Sequence, residues 1–124
     1  MNHDEIDALA DRLLASIVAG DVDDVRSIYA TDATIWHNFD QIDQTPDQSL
    51  RTLAYLRGLL SGMRYEDVRR TVLDDGYVQQ HVLRATGPKG DLEIPAVLRV
   101  YVAGGLITRI EEYLDPAPFV AAIS

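Results

Sequence analysis

The chain has 124 residues, a length that fits one domain with a real hydrophobic core. Apolar residues make up 47% and charged residues 25%, the balance of a soluble folded protein and not of a disordered tail. A formal charge of −9 argues against nucleic acid and against anionic membrane surfaces as partners, because both require a basic face.

With no cysteine there is neither a disulfide framework nor a thiolate nucleophile. The start, Met1-Asn-His-Asp-Glu, is acidic and lacks the unbroken apolar run of a signal peptide. No stretch approaches the length of a membrane span, so a cytoplasmic location is the expectation.

Ile6, Leu9, Ala10, Leu13, Leu14, Ile17 and Val18 recur at helical spacing, and Gly20 ends that helix. Asp21 then caps a shorter helix carrying Val22, Val25, Ile28 and Tyr29. The β-branched and aromatic run from Ala33 to Phe39 reads as a strand. Thr45, Pro46 and Gln48 spell an N-cap, an N1 proline and the closing residue of a capping box. The third helix they open carries Leu50, Leu53, Ala54 and Leu60 as far as Gly62.

From Tyr65 the period becomes two. Strands are predicted at roughly Tyr65–Leu73, Tyr77–Thr86, Leu92–Val102 and Leu106–Leu114, joined by short Asp/Gly/Pro clusters. Links that short join antiparallel neighbours, since a parallel crossover takes about a dozen residues. Asp115-Pro116 reads as the cap and first residue of a last short helix. Helices first and a meander later make this an α+β fold, one domain over residues 1–124: a curved antiparallel sheet lidded by helices.

Polar side chains on an apolar register are where chemistry is expected. In the last strand Glu112 alternates in phase with Ile110 and Leu114. A carboxylate so placed must be paired or have its pKa raised, which is the setting of a general base. The bland alternative is an edge ion pair with Arg99 or Arg109. His81 shares a strand face with Gln79 and Leu83; it reads either as an acid, base or hydrogen-bond donor, or as a packed histidine. Trp36 and Asn38 point one way and His37 the other, so only one of these sets can face a given cavity. The three histidines, His3, His37 and His81, form no close ligand pair, so no metal is expected. No G-x-S-x-G elbow, P-loop or dinucleotide glycine pattern is present, and no cofactor is expected.

Three segments resemble the SnoaL-like branch of the nuclear transport factor 2-like fold. They are Val18-Ala-Gly-Asp-Val, Ile28-Tyr-Ala-Thr-Asp-Ala-Thr-Ile-Trp-His-Asn and Gly105-Leu-Ile-Thr-Arg-Ile-Glu-Glu-Tyr-Leu-Asp-Pro. The resemblance implies a conical α+β barrel with a deep, mostly apolar pocket, helices on the concave face of its sheet, and often a homodimer. Against limonene epoxide hydrolase, Trp36 and Asn38 match the tyrosine and asparagine that hold the water, and Glu112 the aspartate that activates it. Gln79 and His81 stand where that enzyme has an arginine and a second acid, so its relay is not reproduced, and His81 is left as the substitute acid. Against ketosteroid isomerase, His37 matches the base aspartate, Leu13 the oxyanion tyrosine and Val97 the region of the protonated aspartic acid, so that oxyanion hole is missing.

The resemblance thus implies a cofactor-independent acid/base enzyme on a small apolar molecule, a hydrolase, dehydratase, cyclase or isomerase. Glu112, His81, Asn38 and His37 are its candidate catalytic groups, and Trp36, Gln79, Leu13 and Val97 its candidate pocket residues. The other reading is a non-catalytic ligand-binding or dimerisation domain. A homodimer is expected through the outer sheet face, where Tyr101 and Tyr113 lie on adjacent strands.

Overall fold

A computed structural model describes residues 1–124. Helix α1 (His3–Ala19) and helix α2 (Val22–Ile28) lead directly into strand β1 (Tyr29–His37). After α3 (Pro46–Leu59) come β2 (Ser61–Leu73), β3 (Gly76–Gly87), β4 (Gly90–Ala103) and β5 (Leu106–Leu114), and α4 (Ala117–Ile123) closes the chain.

The local signals act as their chemistry requires. Asn2 and Glu5 form a capping box at α1, and Gly20 ends that helix in the left-handed conformation. Thr45 accepts from the Gln48 amide at 3.2 Å, and Gln48 accepts from the Thr45 amide at 2.9 Å. At the last helix Asp115 Oδ1 accepts from the Ala117 amide at 3.0 Å, but Pro116 takes the N-cap position, so the helix begins one residue later than its sequence pattern suggests.

Several boundaries differ from expectation, and the first strand runs Tyr29–His37 where the sequence pattern suggests Ala33 to Phe39. Tyr29 belongs to β1 and not to α2, because no glycine or proline separates helix from strand there. Strand β2 starts at Ser61, ahead of the expected Tyr65; Gly62 (φ +64°) lies at an irregularity in that strand instead of ending α3.

The sheet order is β1-β5-β4-β3-β2. The four later strands form the antiparallel meander that short turns demand. Strand β1 departs from the all-antiparallel expectation: it runs parallel to β5, reached by the long way round through α3. The result is a mixed sheet curled into an open cone. Register shifts in β1, β2 and the β4–β5 pair supply local bends of the kind that curve a sheet.

The concave face packs two clusters of apolar side chains. One joins α1, α2 and α3 to the sheet through Ile6, Leu13, Ile28, Leu50, Val100 and Ile107. The other holds α4 through Ala122 against Leu60, Ala85, Leu92 and Ile94. Helix α4 is also pinned by its backbone, because the Lys89 amide donates to the Ala122 carbonyl at 2.8 Å. Gly87 makes that approach possible: a Cβ there would sit 2.5 Å from the Ala122 oxygen. No helix is long and apolar enough to cross a membrane.

Candidate functional site

Strand pairing lays one inward rung across the whole sheet: Arg70 on β2, Gln79 on β3, Leu98 on β4, Glu112 on β5 and His37 on β1. Directly paired residues point to the same face, so these side chains share the concave side. The neighbouring rung carries His81, Ala96 and Leu114.

Over these rungs lies a cavity of about 450 Å³, roofed by α1, α3 and α4. Of its 29 lining residues 20 are hydrophobic, so a bound molecule would meet few polar groups, and those few fix its orientation. The polar groups of the sheet floor are Glu112, His37, His81, Tyr29 and Tyr65.

Glu112 and His37 form a pair, with His37 Nε2 3.0 Å from Glu112 Oε1 and the two side chains 21% and 22% exposed. Burial pulls the His37 pKa down, but contact with Glu112 and the charges of Glu112 and Asp40 outweigh it and raise it above its ordinary 6.5. The pairing removes the burial problem of a carboxylate on an apolar strand face. It also excludes the edge ion pair: Arg109 binds Asp43 and Glu111, and Arg99 binds Asp75.

His81 is 3% exposed and its ring meets Tyr65 edge-on at 4.7 Å. Burial lowers its pKa, and the charge of Glu112 offsets this only in part. Near neutral pH His81 is therefore uncharged. Tyr29 and Tyr65 are raised, first by burial and then by the charge of Glu112, so both phenols stay protonated donors in reach of its field.

Of the candidates named from sequence, Glu112, His37, His81 and Leu13 line the cavity. Trp36 does not: it stands on the convex face, edge-on to Tyr113 at 5.3 Å. Asn38 is outside the lining as well; its Oδ1 accepts from the Leu114 amide at 2.9 Å, which ties the end of β1 to β5. Val97 pairs in register with Tyr113 and so faces outward. Gln79 faces inward but is completely buried behind His81, where it touches the ring instead of the cavity.

Tyr29 and Tyr65 are absent from the sequence-based candidates. Tyr65 is in phase with Met63 on β2, a signal that alternation could have supplied. Tyr29 was hidden, because the register shift between Tyr29 and Thr34 breaks the period-two count along β1.

Gln44 also lines the cavity, and its buried Oε1 has no hydrogen-bond partner within the chain. An unpaired buried acceptor costs about 1–3 kcal/mol. Its backbone bridge to Ile35, 2.9 Å in both directions, is independent of the side chain. Gln44→Leu is expected to raise unfolding stability by about 1 kcal/mol in urea titrations. A comparable loss instead would show that Oε1 is satisfied in solution.

No curated protein matches the chain. Solved structures share its shape at low identity. A candidate polyketide cyclase from Xanthomonas campestris superposes with a TM-score of 0.84 at 18% identity, covering 100% of both chains. A nuclear transport factor 2-like protein from Burkholderia xenovorans gives 0.79 at 15%, covering 100% of this chain and 99% of that one. A protein of ketosteroid isomerase-like fold from Catenulispora acidiphila, in complex with trimethylamine, gives 0.79 at 13%, covering 92% and 90%. Such identities establish the fold alone. The SnoaL-like domain pattern matches residues 10–110, most of the chain from within α1 into β5, and the protein therefore belongs to the SnoaL-like domain family.

Proposed function

We propose that the cavity is an acid/base active site for a small, mostly apolar metabolite carrying a carbonyl group. The observation that carries this reading is the Glu112–His37 pair at 3.0 Å, set in an apolar cavity beside a neutral His81. Glu112 is the base, and His37 holds and orients its carboxylate. His81, with Tyr29 or Tyr65, supplies the proton or hydrogen bond for the oxygen on which charge develops.

Removal of a proton next to a carbonyl, with an N–H or O–H receiving the enolate oxygen, serves isomerisation and intramolecular cyclisation alike. Neither needs a cofactor, and both gain from an apolar cavity that keeps water from competing. Structural neighbours named as candidate polyketide cyclases support this class. Asn38 has no part in the step, since its side chain is spent on the Leu114 amide.

The test is solvent deuterium exchange into a panel of apolar cyclic ketones and 1,3-diketones, followed by mass spectrometry. Exchange at the carbon next to the carbonyl, faster with the protein than with buffer, supports the reading. Saturable binding with no exchange would make the cavity a binding site only, the role of a non-catalytic member of the fold.

A homodimer through the convex face is part of the same proposal. Trp36, Val97 and Tyr113 form its apolar patch, with Tyr113 48% exposed. Tyr101 is not in it: Arg99 lies 3.9 Å over its ring, and its register partner is Arg109. Sedimentation at micromolar concentration is expected to show a dimer that Tyr113→Arg converts to monomer. A wild-type monomer would end this part of the proposal.

A further inference from the structure

A directional chain of contacts runs from the surface of α1 into the cavity. Arg70 Nη1 donates to Asp7 Oδ1 at 2.8 Å and to Asp11 Oδ1 at 2.9 Å. Its Nε donates to Gln79 Oε1 at 2.9 Å, and Gln79 Nε2 lies 2.8 Å from His81 Nδ1. The guanidinium also sits 5.6 Å from the centre of the Tyr77 ring, which fixes its plane.

The polarity of this chain is dictated at one end. Arginine has only donors, so the Gln79 atom facing it must be the carbonyl oxygen. A flipped amide would set N–H against N–H. The amide nitrogen is thereby turned toward His81, and Nδ1 must accept. In a neutral ring the single proton is then on Nε2, which makes no hydrogen bond within the chain.

We infer that Arg70 and Gln79 are positioning residues that hold His81 as the neutral ring protonated on Nε2, so that it offers the cavity a hydrogen-bond donor. An imidazolium would place Nδ1–H against the Gln79 amide hydrogens, so the network and burial oppose protonation together. The charged and titratable groups around the ring are Tyr65 and Arg70 from β2, with Arg70 acting through Gln79, and Glu112 from β5. A neutral imidazole N–H can polarise a carbonyl without giving up its proton. This rests on the acid/base reading only for the use His81 makes of the donor; its protonation state is measurable with no substrate at all.

The experiment is long-range nitrogen–proton NMR of the ring nitrogens in the full chain, with His3→Gln and His37→Gln providing assignments. Wild-type His81 is expected as the pure Nε2–H form, titrating below the ordinary 6.5. Gln79→Glu, nearly isosteric and still bonded to Arg70, gives Nδ1 an acceptor and is expected to move the titration above that value. If Gln79→Glu does not fold, Arg70→Met tests the same link, because a freed amide should leave His81 averaging between its two neutral forms. A wild-type Nδ1–H ring, an averaged ring, or a ring indifferent to both substitutions would overturn the inference. If the tautomer is as stated and no ketone exchanges deuterium, the proposed activity fails and this inference stands.

Discussion

Glu112→Gln is expected to slow deuterium exchange by about 10²–10⁴-fold, the usual contribution of a positioned general base. The amide keeps the size and much of the hydrogen bonding of the carboxylate but cannot take up a proton. Its effect on His37 is a second and independent readout. With the carboxylate gone, burial becomes the dominant influence on that ring, and its pKa should drop from above 6.5 to below it.

That change reverses the pH dependence of stability. In the wild type the raised His37 adds stability below 6.5 that is lost as pH rises through its folded pKa. His81, whose pKa is lowered, works the other way, its stability being lost as pH falls from 6.5 through its folded pKa. In Glu112→Gln both histidines become neutral buried rings, so the variant should melt progressively lower than wild type between pH 7.5 and pH 5. Near pH 8 the two should melt within about 3 °C of one another, as expected where no cavity or strain is introduced. Equal exchange rates would remove Glu112 from the role of base. A variant that fails to fold at pH 8 would make its role structural.

The inward set of β5 is readable in the sequence because Ile110, Glu112 and Leu114 alternate without interruption, whereas neither face of β3 around His81 is cleanly apolar. The limits of the sequence were geometric. Alternation separates His37 from Trp36 and Asn38 but cannot say which side is concave. That depends on β1 pairing parallel with β5 through the His37–Glu112 and Trp36–Glu111 register, a contact between residues far apart in the chain. That pairing puts His37 in the cavity wall.

Gln79 shows a different limit. Its strand face was correctly shared with His81, yet its role depends on Arg70 across the β2–β3 pair, and β2 contains register shifts and a left-handed Asp67. Period-two counting from Tyr65 cannot carry through such a strand. Short turns, by contrast, were legible because they are local: Asp74-Asp75-Gly76 needs only its own residue types to mark the β2–β3 hairpin.

Gly76→Ala should be the most destabilising single-methyl change outside the cavity. Gly76 has φ +150°, a conformation that side chains rarely adopt, and a Cβ built there would lie 1.9 Å from the Val100 carbonyl oxygen. That oxygen is held in place: Arg99 Nη1 donates to it at 2.7 Å, and the same guanidinium reaches Asp75 Oδ1 in the adjoining turn at 2.8 Å. The Val102 amide donates to the Asp75 carbonyl at 2.8 Å, which closes the turn against β4. The methyl can fit only if β3 moves off β4 or the hairpin rotates, and either course breaks part of this network. Backbone strain of about 1–3 kcal/mol and overpacking of about 1–3 kcal/mol together give a loss of roughly 2–6 kcal/mol. For a domain this size that corresponds to a midpoint lower by roughly 8–23 °C. Gly105→Ala is the control, because its φ of +81° brings comparable backbone strain while nothing lies within 4 Å of the added carbon. Its loss should stay near 1 kcal/mol. Equal melting of the two variants would show that the β3–β4 contact yields, and that the close approach at Val100 contributes nothing to the stability of the hairpin.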